Sequence, residues 1–109
     1  MRCVMLGLAV AAFSACYPKA GPPPEAPSAN AVAWASARWP GATAESLAHG
    51  RELFVSKCNA CHESPDVAAI ADDRWPGIVK SMGNKAHLTA DERETLLHFV
   101  LASRAEQKN

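Results

Sequence analysis

Apolar side chains recur at three- and four-residue steps through the second half of the chain, the period of helices that bury one face. Leu47, Gly50, Phe54, Cys58 and Cys61 form one such face. Thr43 is a candidate cap for that helix, and Ser64-Pro65 closes it, because a residue before proline resists helical angles. Trp75, Val79 and Met82 form a second face, with Asp72 or Asp73 as cap, Pro76 tolerated in the first turn and Gly83 as a stop. Leu96, Phe99, Val100 and Ser103 form a third, opened by a capping box of Thr89 and Glu92. β-branched residues are sparse from Thr43 onward and no hairpin signal interrupts them, so the expected fold class is all-α, with three helices. The stretch from Asn30 to Trp39 fits either an alanine-rich helix capped by Asn30 or a strand with Val32, Trp34 and Ser36 in step; Pro40-Gly41 ends it. Arg-Trp-Pro-Gly occurs at Arg38 and again at Arg74 in unlike surroundings, which reads as similar turn chemistry and not as a repeat.

The first half has a different character. Residues 1–15 read as an export signal: Arg2 supplies the positive start, and the apolar run over 4–13 is shorter than the ~20 residues of a membrane span. Phe13-Ser14-Ala15-Cys16 resembles a bacterial lipobox, with Phe13 where leucine is usual, and makes Cys16 the expected lipidation site. The alternative is an ordinary secretory signal cut nearby. Cys3, Met1 and Met5 leave with the signal in either case. Pro18, Pro22, Pro23, Pro24 and Pro27 favour extended backbone that packs no core, so residues 16–38 are expected to form a tether and residues 39–109 the domain, with the compact part beginning near Thr43. The expected location is the periplasmic side of a bacterial membrane. Tyr17, which is not the aspartate associated with inner-membrane retention, leans toward the outer one.

The chain has 109 residues, room for one domain, and its formal net charge of +0 gives no reason to expect nucleic acid as a partner. Roughly 67 residues from Thr43 onward make a marginal core unaided. A bound group that helps hold it together is therefore expected.

Cys58-Asn59-Ala60-Cys61-His62 supplies the chemistry for one. On a helix these two thiols and the imidazole stand at i, i+3 and i+4 on one face. Two thiols so placed can each add to a vinyl group of one haem, and the next residue then aims its imidazole at the iron; this is the signature of covalent c-type haem attachment. Two other chemistries share parts of the pattern. A Cys-x-x-Cys redox pair belongs in a βαβ context that is missing here. A zinc site would have to draw a fourth ligand from His49, His87 or His98. His49 and His98 fall off the apolar faces of their helices and are expected at the surface. For the sixth position of a haem iron, Met82 is the one methionine left after the signal and lies on an apolar helix face; a thioether there raises the reduction potential. His87 is the alternative ligand, and an open position the third choice.

Gly50-Arg51-Glu52-Leu53-Phe54, Cys58 to His62, Trp75-Pro76 with Val79 and Met82, and Leu88-Thr89-Ala90-Asp91-Glu92-Arg93 together resemble the class I c-type cytochromes, most of all the small bacterial monohaem and dihaem-type domains. The resemblance implies a compact helical fold around one haem c, Cys58 and Cys61 as its covalent attachments, His62 and Met82 as axial iron ligands, and a close crossing of the Gly50/Phe54 helix over the Leu96/Phe99 helix. The stretch between His62 and Met82 is shorter than in larger members, so a middle helix is missing or reduced; the Pro65 carbonyl is a candidate acceptor for the His62 ring N–H. The function implied is one-electron transfer between redox partner proteins outside the cytoplasmic membrane, with the chain anchored through Cys16. A haem-based gas or redox sensor with a dissociable or absent Met82 ligand is the alternative. A peroxidase-like enzyme would need an acid or base above the iron, and none is visibly placed there.

Overall fold

A computed structural model describes residues 21–58 and 64–108. The fold is all-α: α1 (Ala29–Arg38), α2 (Ala44–Lys57), α3 (Trp75–Lys85) and α4 (Ala90–Gln107), with 3₁₀ turns at Val67–Ala69 and Asp72–Arg74. α4 is the centre, and the other three helices pack around it.

Local chemistry explains most of the helix starts. Thr43 and Ser46 form a reciprocal capping box on α2, and Thr89 and Glu92 do the same for α4. Glu92 N–H donates to Thr89 Oγ1 at 3.1 Å, and Thr89 N–H to Glu92 Oε2 at 2.8 Å. The ambiguous stretch before Trp39 is helical. Its cap is Ser28 and not Asn30: Ser28 is extended, and its Oγ accepts from Ala31 N–H at 3.1 Å.

The compact unit starts well before Thr43. Ala31 and Ala35, four residues apart, are buried in the core, and their small side chains let α1 lie against α4. The Ser28 hydroxyl donates to the Glu106 carboxylate, joining the start of α1 to the end of α4. The described part of the expected tether is docked as well. Pro24 is buried, Arg51 Nε donates to its carbonyl at 2.9 Å, and Gly21 N–H donates to Ser64 O at 3.4 Å. Proline has no N–H to leave unpaired, so a partner for its carbonyl is enough to let it be buried.

α2 buries Leu47, Gly50, Leu53 and Phe54, and crosses α4 at Gly50. A Cβ built on Gly50 would lie 2.6 Å from Phe99 Cβ and 2.6 Å from the Thr95 carbonyl oxygen, so only glycine fits this crossing. Phe54 and Phe99 meet edge to face there, 6.2 Å between ring centres. α2 ends at Lys57 with Cys58 as its C-cap, short of the close expected at Ser64-Pro65, so this helix does not carry the motif beyond its first cysteine; residues 59–63 lie outside the described residues.

α3 differs from expectation at both ends. Neither Asp72 nor Asp73 caps it: the helix follows the Asp72–Arg74 turn with no side-chain cap, and Asp72 is engaged elsewhere. Its buried face is Trp75, Val79 and Gly83, with Met82 turned to one side of it. Gly83 is not a stop. It gives room to Arg93, whose Cγ and Cδ lie 2.6 Å from where a Cβ would stand. α3 runs on to Lys85 and ends in a Schellman motif: His87 takes the left-handed conformation (φ 59°), His87 N–H donates to Asn84 O at 3.2 Å, and Leu88 N–H to Gly83 O at 2.8 Å.

Candidate functional site

Cys58 begins the motif at the C-terminal end of α2. Its N–H donates to Phe54 O at 3.2 Å, so the helix itself sets its position. The side chain is half-buried and packs against the core. Burial pushes the thiol up to about 11, so it stays protonated at neutral pH. Cys61 and His62 lie outside the described residues, as does Cys16.

α3 contributes two features. Trp75 is buried in the core, yet its indole Nε1 has no hydrogen-bond partner. A buried donor left without an acceptor costs about 1–3 kcal/mol, so an orphan of this kind needs an explanation. Two turns on, Met82 is the one large hydrophobic side chain exposed among the described residues, at 36%. It is not a core filler.

The remaining histidines separate clearly. His87 is exposed, and its backbone closes the α3 turn. His49 is exposed beside Glu52, with 3.6 Å between Nδ1 and the carboxylate. His98 does not lie free on the surface as expected. Its ring stacks on Trp39 at 4.0 Å, with 13° between the planes, and its side chain is 13% exposed. The α4 pattern alone places His98 off the apolar face; the docking of α1 brings Trp39 over it. Burial lowers its pKa, opposed by Glu94, whose carboxylate is 3.7 Å from Nε2. No group of three or more His, Cys, Asp or Glu side chains among the described residues is arranged to hold a metal ion. None of the described helices is long and apolar enough to cross a membrane.

The segment that leaves the motif is held by Arg104, which the sequence pattern does not single out. Arg104 is buried, with 8% exposure. Its Nη1 donates to Val67 O at 2.8 Å and Ala68 O at 2.9 Å, and its Nε pairs with Asp72. Lys108 reaches the same carboxylate at 2.6 Å. These hydrogen bonds from Lys108 and Arg104 hold the Asp72 carboxyl below its ordinary value. Residues 67–72 are thereby fixed to the last turns of α4, between the motif and α3.

The residue types are those a covalently attached haem uses: Cys58 with Cys61 and His62 three and four positions on in the sequence, and an exposed thioether at Met82. Compared with models of protein families, with characterised proteins and with solved structures, the chain matches none.

Proposed function

We propose that this chain is an exported electron carrier with one covalently attached haem c, and that α2, α3 and α4 are a small cytochrome c-like core around it. The observation that carries the reading is the Cys58-x-x-Cys61-His62 motif at the end of α2, whose first cysteine packs on the core. Cys58 and Cys61 would hold the haem through thioether bonds, and His62 would supply a ligand to its iron. Met82, on α3, would supply the second iron ligand, and a filled iron would leave electron transfer as the chemistry the haem supplies. The haem, when bound, gains and loses one electron at its iron. The close crossing at Gly50 supports the reading. The carrier works between redox partner proteins on the periplasmic side of the membrane, held there by a lipid on Cys16.

The alternative is a gas or redox sensor in which the Met82 ligand is dissociable or absent. The protein, exported from a host able to attach haem, is to be taken through a pyridine haemochrome spectrum and intact mass. The expected result is one haem with two thioether bonds and a reduced spectrum unmoved by carbon monoxide. A colourless protein overturns the proposal; a rapid, complete shift with carbon monoxide replaces the carrier with the sensor. Met82→Ala is expected to lower the reduction potential and admit carbon monoxide, and an unchanged spectrum moves the ligand to His87.

A further inference from the structure

The proline-rich segment is the described element that departs furthest from its composition, which favours a solvated spacer. It is instead attached at three points. Pro24 is buried, its carbonyl takes the Arg51 guanidinium of α2, and Gly21 sits on the segment that follows the motif. The fit at Gly21 is close: a Cβ there would lie 2.6 Å from Asp66 Cβ and 2.7 Å from Asp66 Cα. Beside these contacts the segment borders a cleft of about 340 Å³ together with Asp66, Val67 and Glu106.

We infer that residues 21–27 are a docked strap, and that it holds the motif end of the molecule toward the lipid surface when Cys16 is acylated. The inference rests on the lipid-anchor reading of Cys16, but not on the haem. The geometry is set by chain length. Five residue steps separate Cys16 from Gly21, which caps their separation at roughly 18 Å whatever path the chain takes. Gly21 is bonded to Ser64, two residues after His62. A spacer free as far as Ala29 would span thirteen steps, up to roughly 45 Å, and would let the domain tumble. Glu106 and Gln107, at the end of α4, border the same cleft, so this helix end lies on the membrane side. Its start, with Asp91, is about 27 Å away along the helix axis. Glu25, Asp66 and Glu106 are acidic, so the approach to lipid comes from the anchor and not from headgroup charge.

The test is polarised infrared spectroscopy of the full lipidated chain on a supported phosphatidylcholine bilayer, with the lipid verified by mass. Amide I dichroism reports helix orientation whether or not haem is attached, so a colourless protein fails the proposed function and leaves this test intact. The natural chain is expected to show a clearly non-zero order parameter. Gly21→Ala forces the strap off Asp66 and is expected to bring the order parameter close to zero, with unchanged circular dichroism. Six Gly/Ser residues inserted after Lys19 leave the docking untouched, lengthen the anchor and are expected to do the same. In the soluble chain the Gly21 amide is expected to exchange slowly, and faster in Arg51→Gln. The inference is overturned by an isotropic natural chain, by a chain without lipid at Cys16, by an unprotected Gly21 amide, or by order that survives both the substitution and the insertion.

Discussion

Replacing Gly50 with alanine tests the packing on which the whole core depends. Resting carbon atoms lie about 3.5–4.0 Å apart, so a methyl group 2.6 Å from both Phe99 Cβ and the Thr95 carbonyl oxygen is roughly 1 Å too close. Both obstacles are near or on the backbone of α4 and cannot rotate away, so the two helices must part. Overpacking of this kind costs ~1–3 kcal/mol. Parting also weakens the edge-to-face contact of Phe54 with Phe99, a pair of a type worth ~0.5–1.5 kcal/mol. Against this, alanine is better than glycine within a helix by ~0.8–1.0 kcal/mol. The net expectation is destabilisation of about 1–3 kcal/mol, or a fall in Tm on the order of 5–15 °C for a domain of this size. Gly77→Ala is the control. Gly77 lies in the first turn of α3, and a Cβ there meets nothing within 4 Å, so the same substitution should be neutral or stabilising by up to ~1 kcal/mol. Urea unfolding followed by circular dichroism measures both. If Gly50→Ala were as stable as Gly77→Ala, the two helices would not meet at this glycine, and the packing argument would fail.

Arg104→Met should destabilise the chain by roughly 2–4 kcal/mol, because it strands the Val67 and Ala68 carbonyls and removes the buried partner of Asp72, which keeps only Lys108; a midpoint within error of the natural chain would refute the clamp. His87→Gly should stabilise by up to ~1 kcal/mol, since glycine takes the left-handed conformation without a Cβ penalty, and a loss of stability would mean that the His87 side chain is engaged. His98 has a depressed pKa, so the folded state favours its neutral ring. Its contribution is present above the unfolded value of 6.5 and is lost as pH falls through the lower folded value. His98→Gln should flatten that part of the pH–stability profile, and an identical profile in both proteins would place the sensitivity elsewhere.

The parts legible in the sequence are those governed by neighbours along the chain. Thr43 and Thr89 cap their helices through residues three positions on, and both caps were readable for that reason. The close approach at Gly50 was readable because a glycine on an otherwise apolar helix face, in a pattern resembling a known family, calls for a neighbour at short range. The packing of Cys58 on the core follows from its place one turn past Phe54 on the face read from the sequence. What was not readable depends on partners far along the chain. Asp72 looks like a cap until Arg104, 32 positions on, claims its carboxylate. His98 looks exposed until α1 lays Trp39 over it. Gly83 looks like a stop because its true neighbour, Arg93, lies on another helix. The docked prolines run against composition, which reports what a segment does in isolation and not what Arg51 and Ser64 offer it.

The central place of α4 has a consequence for the order of events in the cell. It is the last of the four helices to be synthesised, and it is the element against which the other three bury their apolar faces. Until it emerges, α1, α2 and α3 have no common surface to condense upon, and the Val67–Asp72 segment has no guanidinium to fasten it. A ribosome-bound chain therefore cannot complete its core until α4 has emerged. Under the export proposed above, such an order of events would let the chain cross a membrane before it collapses.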